Sequence, residues 1–203
     1  MKRIMSLILV SLMLVSALFF ASCGKGEDDV PNGMKKASGD AAQYVLYVPT
    51  TWKCDVASGA TSATYSDSDT SNISVMTFSL ENSDADVSDW WSGFEADFKK
   101  VYDDFEIVSR EDTTLDGEKA EKVVFKGTLI HDLSDEEDDA VSEGTPANDN
   151  IDKVEFQFMQ VSAVKRKVLS APEVYVITYT SSPDVFDSHL EDVQKCLDNF
   201  KFN

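Results

Sequence analysis

The sequence is poor in the residues that most often carry catalysis or bind metals. It has only two histidines, His131 and His189, with three cysteines and nine glycines among 203 residues. Neither histidine lies near a cysteine, so zinc-ligand spacing is absent. No Gly-x-Ser-x-Gly, Gly-x-Gly-x-x-Gly or Walker pattern occurs, which removes the common signatures of serine hydrolases and nucleotide-binding proteins. We therefore expect no enzyme, no cofactor and no metal site.

Basic residues are also scarce. The chain carries 18 lysines and arginines against 37 acidic residues, a formal net charge of −19. A surface this acidic repels the phosphates of nucleic acids and anionic lipid headgroups. The composition therefore excludes a nucleic-acid partner.

The longest apolar run of the chain is at its N-terminus. It occupies residues 4–20, after Lys2 and Arg3 and before Ala21-Ser22-Cys23. The run is short for a membrane span and small residues follow it, so residues 1–22 are predicted to be an export signal. Phe-Ala-Ser-Cys resembles a bacterial lipobox, which makes Cys23 the predicted lipidation site and the membrane anchor. The alternative is an ordinary secretory signal with Cys23 as an unmodified thiol.

Composition divides the rest of the chain into a tether and one domain. Residues 23–40 are rich in glycine and charge, and they are predicted to form a flexible tether after the lipidated cysteine. Residues 41–203 are suited to a single domain with one core. Within it, residues 131–150 hold eight acids and neither lysine nor arginine, which predicts an exposed acidic loop. Two roles stay open for this loop, a plain connection and a cation-responsive or partner-binding segment.

The sequence predicts β-strands over most of the domain, with apolar residues on both faces of the strands. Strands are predicted at 43–48, 63–66, 72–80, 106–115, 119–130, 154–163 and 174–180. Asp116-Gly117 is a strong hairpin signal. The apolar phase flips between Phe158 and Met159, which predicts a β-bulge there. Strands that are apolar on both faces indicate a sheet covered on both sides.

Two stretches have helical periodicity. Apolar residues recur at three- and four-residue steps from Asp86 to Phe105, with Asp86 or Ser88 as the N-cap. The aromatic stripe of this helix is interpreted as core, with an aromatic binding box as the alternative. A second helix is predicted near the C-terminus, with Ser182 as its cap and Pro183 in its first turn.

Cys54 and Cys196 are the two cysteines of the domain. Export to an oxidising compartment would allow them to pair. If the last helix packs across the first strand, the two residues meet. A disulfide and two separate half-buried thiols both remain open.

Three motifs together resemble the PsbP/Mog1-like family, particularly its bacterial lipoproteins. They are Tyr44–Pro49 followed by Trp52, Leu115-Asp-Gly117 with Ala120, and the closing stretch from Tyr179 to Phe202. The resemblance implies an α+β fold, an α/β/α sandwich in which helices cover both faces of an antiparallel sheet. It implies no shared catalysis, because relatives are accessory and interaction proteins.

The predicted function is that of a non-enzymatic accessory or interaction domain. The protein would be a monomer attached to the cell membrane through Cys23, facing outside the cytoplasm, and would bind an unknown protein of the envelope. The alternative is a carrier for a small apolar ligand, in which the aromatic helix covers a cavity.

Overall fold

A computed structural model describes residues 30–57, 60–132, 151–166 and 171–203. The predicted signal at residues 1–22 and the lipidation site Cys23 lie outside these ranges. So do residues 133–150 of the acidic loop. The expectations for these segments stay predictions.

The described residues form eleven β-strands, two α-helices and one 3₁₀ helix at Phe186–His189. The helices are α1 (Val87–Val101) and α2 (Leu190–Asp198). The strands are β1 (Met34–Lys36), β2 (Tyr44–Val45), β3 (Tyr47–Pro49), β4 (Lys53–Ala57), β5 (Ala60–Thr64), β6 (Asn72–Ser79), β7 (Asp103–Leu115), β8 (Glu118–Asp132), β9 (Ile151–Lys165), β10 (Glu173–Ser181) and β11 (Lys201–Phe202).

Seven strands form one antiparallel sheet in the order β4-β5-β6-β10-β9-β8-β7. The chain leaves β6, passes through α1 to the far edge of the sheet at β7, and returns strand by strand to β10. The small pairs β1–β3 and β2–β11 lie outside this sheet. A large antiparallel sheet with two α-helices in the described chain confirms the coarse prediction of a sheet-based α+β fold.

Helix α1 begins where its capping residues predict. The Asp86 carboxylate accepts hydrogen bonds from the backbone N–H groups of Ser88 at 2.8 Å and Asp89 at 3.0 Å. Asp89 accepts one in return from the Asp86 N–H, which completes a capping box. The helix ends at Val101, because Tyr102 has extended backbone angles. The predicted end at Phe105 was wrong. Phe105 lies in strand β7, although its position continues the three- and four-residue spacing of apolar residues in the helix.

The hairpin between β7 and β8 is confirmed. Asp116 has φ +46° and Gly117 has φ +81°, the left-handed pair that a two-residue turn requires. The predicted bulge in β9 was wrong. Its register against β8 and β10 is continuous, and the apolar phase flips because β9 is buried on both faces. Register shifts occur instead in β7.

The C-terminal helix begins later than predicted. Ser182 caps no helix; its carbonyl accepts a turn hydrogen bond from Val185, and the chain enters the 3₁₀ helix at Phe186 before α2 begins at Leu190. His189, at the cap position of α2, makes no side-chain capping hydrogen bond. The apolar stripe that starts at Phe186 nevertheless packs into the core, since Phe186, Val193 and Phe200 are buried.

The tether prediction was wrong for residues 34–38. Strand β1 pairs with β3, and Met34 and Ala37 are buried. The Ser38 hydroxyl accepts a hydrogen bond from the Leu46 N–H at 3.2 Å. These residues are ordered because their few apolar side chains pack in the core. A prediction from average composition does not detect so small a number of apolar side chains.

The buried side chains of the described residues form two separate clusters. In the smaller cluster, Trp91 of α1 and Tyr102, the residue that follows the helix, pack against Val123, Phe125 and Phe158. Tyr102 lies so close to β8 that a Cβ on Gly127 would come within 2.7 Å of the tyrosine Cβ. The larger cluster includes Met34 of β1, Val48 of β3, and Val193 and Cys196 of α2, together with Leu46 and Trp52.

Candidate functional site

A buried histidine lies at one end of the larger cluster. His189 ends the 3₁₀ helix, and its Nε2 is 2.7 Å from the Asp69 carboxylate in the turn between β5 and β6. The imidazole packs on Tyr65, with 4.1 Å between ring centroids, and lies edge-on to Trp52 at 6.2 Å. The side chain of His189 is 8% exposed, so this contact is largely screened from water.

Hydrogen bonds keep Asp69 ionised. Burial alone would raise the pKa of the Asp69 carboxyl, but the Ser71 side chain and N–H and the neighbouring His189 together lower it below its ordinary value. Next to it, the hydroxyls of Ser71 and Ser181 lie 2.7 Å apart and link the turn to the end of β10. We call Trp52, Tyr65, Asp69 and His189 the histidine cluster.

The histidine cluster holds parts of the fold together and lacks the arrangement of a hydrolase. Nucleophilic catalysis needs a hydroxyl or thiol hydrogen-bonded to the histidine that an acid orients. Among the described residues, the polar side chain bonded to His189 is that of Asp69. No local sequence pattern predicts this pair, because the two residues are 120 positions apart.

A cleft of ≈ 340 Å³ opens between the β7–β8 hairpin and α2. Its walls include Lys122, Gln194, Asp198 and Lys201, together with Leu115 and Leu197. Most of these polar groups already have partners. Lys122 pairs with Glu111, Gln194 donates to Asp198 at 2.7 Å, and Lys201 pairs with Asp116 at 3.2 Å. The cleft therefore presents few unpaired groups to a ligand.

Asp116 ties the hairpin to the C-terminus. Its carboxylate accepts hydrogen bonds from the Phe202 N–H at 2.8 Å and from Lys201 Nζ. Burial would raise the pKa of Asp116, but these two donors lower it below its ordinary value. The Asp-Gly turn thus has a second role that the hairpin signal alone does not reveal.

Arg166 fixes the segment that leads into α1. Its guanidinium donates to the backbone carbonyls of Ser83, Asp84 and Ala85, at 3.3 Å to Asp84 and 2.9 Å to Ala85. The adjacent Lys165 pairs with Glu118 at 2.6 Å. Lys165 and Arg166 therefore both contact groups of the protein's own chain.

The aromatic stripe of α1 forms part of a packed core, as interpreted. Phe94 and Phe98 stack at 4.1 Å, and Phe98 lies edge-on to Phe125 at 5.4 Å. Phe125 in turn stacks on Phe158 at 4.8 Å. Trp90 is the exception within the stripe, because it extends towards β6 and stacks on Phe78 at 4.8 Å.

Cys196 belongs to the larger cluster, and Cys54 packs against it. Cys196 is buried and Cys54 half-buried. Burial raises the pKa of the Cys196 thiol to about 12, which suppresses its reactivity. The disulfide between them stays a prediction.

Metal-ligating and membrane-spanning features are both missing from the described part of the chain. No group of three or more histidine, cysteine or acidic side chains in these ranges is placed to hold a metal ion. Within the same residues, no helix has the length and apolar character needed to cross a membrane.

Comparison with known sequences identifies neither a family nor a relative. No family model matches the chain, and no curated protein matches it either.

Comparison with solved structures identifies the fold. Cyanobacterial PsbP (CyanoP) from Synechocystis sp. PCC 6803 matches with a TM-score of 0.53 and 14% identity, over 91% of this chain and 99% of that one. LpqN, involved in cell envelope biogenesis of Mycobacterium tuberculosis, matches with a TM-score of 0.54 and 14% identity, over 84% of this chain and 90% of that one. The chain therefore has the PsbP/Mog1-like fold, as its motifs predicted.

Proposed function

We propose that this protein is a lipid-anchored, extracytoplasmic accessory domain that acts by binding another protein of the envelope. The observation that carries the proposal is the N-terminal sequence, an apolar run that ends in Phe-Ala-Ser-Cys23. Two or three acyl chains on one cysteine hold a domain firmly at a membrane, where a single chain is marginal. The structural likeness to LpqN, a protein of cell envelope biogenesis, is consistent with this location.

The proposal includes a non-enzymatic role. It is supported by the histidine cluster, whose acid and base are bonded to each other and to the scaffold. It also includes the α/β/α arrangement, with one helix on each face of the sheet. The contacts of α1 and α2 with separate clusters are consistent with that arrangement.

Anchoring is tested by labelling growing cells with an alkyne analogue of palmitate. The full chain should incorporate the label and partition into the detergent phase. Cys23→Ala should lose both properties, whereas Cys54→Ala should keep them as a matched control. A chain truncated to begin at Lys25 that still enters the detergent phase would overturn the anchor.

The interaction role is tested by crosslinking in intact cells, with the lipidated chain and Cys23→Ala compared side by side. One partner protein that is recovered with the lipidated chain supports the proposal, and recovery of no protein contradicts it. Turnover of a substrate by the purified chain would contradict the non-enzymatic role.

A further inference from the structure

Strand β7 forms one edge of the seven-stranded sheet. It pairs with β8 on one side, and no other strand of the described chain pairs with its other side. Register shifts interrupt the first half of β7, but its pairing with β8 is regular over residues 109–115. An edge strand with a regular backbone is a template on which a further strand can pair.

The hairpin determines which backbone groups of β7 face outwards. Leu115 and Glu118 flank the two-residue turn, and a turn of this kind is closed by a hydrogen bond between its flanking residues. Hydrogen-bonded positions alternate along an antiparallel strand. Arg110, Asp112 and Thr114 therefore direct their N–H and C=O groups away from β8. In the described chain, no turn or loop hydrogen bond involves these groups.

The side chains of this edge are also accessible. Residues 108–112 are all exposed, and so is Thr114. Successive side chains of a strand point to opposite faces, so five exposed residues in a row mean that neither face of β7 is covered there. The central strands β9 and β10 differ in this respect, because most of their described residues are buried or half-buried.

The charges on the open edge favour a basic strand. Asp112 lies directly opposite Glu121, and like charges in that position destabilise a strand pair. The nearby Arg110 guanidinium is bound to Glu121, with 2.9 Å between Nη2 and Oε2. Among the described residues, no lysine or arginine pairs with Asp112. A lysine or arginine opposite Asp112 on an added strand supplies the missing positive charge.

A second copy of this chain fits the same edge poorly. In a symmetric antiparallel pair of strands, the central residue lies opposite its own copy. Residues 110–112 are all charged, so a pair centred on any of them places like charges side by side. The net charge of −19 adds repulsion between the whole molecules. The charges that oppose self-association therefore attract a strand of opposite sign.

The cleft beside the hairpin offers space for a side chain of the added strand. Its volume is ≈ 340 Å³, and its walls include Thr113 and Leu115 of β7 and Leu197 and Asp198 of α2. A residue that pairs beside Thr113 carries its side chain on the face that lines the cleft. Asp198 accepts a hydrogen bond from Gln194, and no lysine or arginine in the described ranges pairs with it. A long basic side chain suits these walls, because its stem packs on the leucines while its charged end stays near the carboxylate.

We propose that the outer edge of β7 at residues 110–114, together with this cleft, is a docking site for an extended basic segment of another protein. The segment adds a strand to the sheet. Backbone hydrogen bonds supply affinity in this mode of binding, and the side-chain contacts at Asp112 and in the cleft supply specificity. The inference rests on the proposed function, because it names the surface through which the domain binds its partner and the chemistry of that partner.

The test adds a peptide of alternating lysine and threonine to the purified full chain and follows amide hydrogen exchange by NMR. The amides of Arg110, Asp112 and Thr114 should exchange at least about tenfold more slowly at saturating peptide, as one added hydrogen bond each predicts. The amides of Glu111 and Thr113 face β8 and should be slow from the start. This alternation separates strand addition from attraction between charges alone.

Two peptides serve as matched controls. The lysine-threonine peptide with N-methylated backbone amides keeps the charge and loses the donors, so it should bind at least about tenfold more weakly. A peptide of alternating glutamate and threonine keeps the backbone and reverses the charge, so it should not bind.

Variants of Asp112 separate the two contributions within the protein. Asp112→Ala keeps the outward N–H and should weaken both the binding and its dependence on salt. Asp112→Pro also removes this N–H and should abolish the protection, while the pairing with β8 is kept because the lost N–H faces away from it. If Asp112→Pro fails to fold, Asp112→Lys replaces it and should repel the peptide. Asp55→Lys on β4, the opposite edge strand, should leave the binding unchanged.

Three results would overturn the proposal. The first is that saturating peptide does not slow the amides of Arg110, Asp112 and Thr114. The second is equal binding of the N-methylated peptide, which would mean attraction between charges only. The third is slow exchange of these amides without peptide that increases with protein concentration, which would mean that a second copy occupies the edge.

Crosslinking in cells distinguishes failure of this site from failure of the proposed function. A partner that crosslinks equally to the native chain, Asp112→Pro and Asp112→Lys would overturn the β7 site and leave the interaction role standing. Recovery of no partner with the native chain would contradict the interaction role, and the peptide measurements would still decide whether the β7 edge accepts a basic strand.

Discussion

At the scale of single residues, the contact between Asp69 and His189 joins the turn after β5 to the start of the C-terminal helical segment. Asp69→Asn should lower the free energy of unfolding at pH 7 by about 1–2 kcal/mol, because it weakens a buried charge-assisted hydrogen bond. Asp67→Asn is the matched control. Its carboxylate is 88% exposed in a surface ion pair with Lys53, so little change is expected.

The Asp69 carboxyl makes the stability of the fold depend on pH. The pKa of Asp69 is lower in the folded chain than its ordinary value of about 3.9, so its contribution to stability is complete above that value. It is lost as the pH falls through the folded pKa below it. Denaturant unfolding should be measured from pH 6 to pH 2. The difference in free energy of unfolding between the native chain and Asp69→Asn should become smaller as the pH falls towards 2. A difference that grows on acidification would contradict this sign.

The two domain cysteines should differ in reactivity. Iodoacetamide at pH 8 should modify Cys54 first, because Cys196 is buried and its pKa is raised to about 12. Mass spectrometry of the digested chain measures the order. Modification of Cys196 before Cys54 would be inconsistent with the structure. If neither cysteine reacts in denaturant until a reductant is added, the disulfide exists.

At the scale of elements, two glycines offer opposite tests of backbone preference. Gly93 lies in α1 with open space where the methyl group of an alanine would stand, so Gly93→Ala should raise stability by up to about 1 kcal/mol. Gly117 is equally open but has φ +81°, so Gly117→Ala should lower stability by about 1–2 kcal/mol. Urea unfolding of both variants measures the difference, and a shift of the same sign in both would refute the argument.

The Arg166 contacts should hold α1 in position. Arg166→Ala removes three hydrogen bonds to the carbonyls of residues 83–85, so amide hydrogen exchange over residues 83–90 should accelerate. Arg166→Lys should restore little of the protection against exchange, because an ammonium group lacks the planar, forked donors of the guanidinium. Lys119→Ala, an exposed change on β8, serves as the control. Unchanged exchange in Arg166→Ala would show that other contacts position the helix.

At the scale of the whole molecule, the acidic segment between β8 and β9 is predicted to be dispensable for folding. The last paired residues of the two strands, Asp132 and Ile151, lie opposite each other, so a short turn suffices to join them. Replacing residues 133–150 with Gly-Asn should leave the fold intact and raise the melting temperature slightly, since it removes seven of the 37 acids.

Thermal melts of the native chain and of this deletion, with calcium and with EDTA, separate the two interpretations of the segment. A plain connection predicts no response to calcium in either protein. A calcium-induced rise in melting temperature that disappears on deletion would show instead that the segment binds cations.

Much of the architecture was predictable because local signals agree with it. The capping box at Asp86, the Asp-Gly turn and the two-faced strands each depend on hydrogen bonds or periodicity within a few residues. Predictions failed where distant packing decided the outcome. Met34 is ordered by its pairing opposite Pro49, and Phe105 belongs to a strand although it continues the helical stripe.

The sequence by itself determined the general character of this protein: an acidic, strand-rich domain that follows an apolar N-terminal run. The tertiary structure alone decided which residues meet. It places His189 on Asp69, Tyr102 over Gly127, and Phe98 against Phe125. The physical reason is that helices and turns follow from short-range backbone preferences. Contacts between residues as far apart as 120 positions follow only from the order of strands in the sheet, which many weak packing interactions decide together.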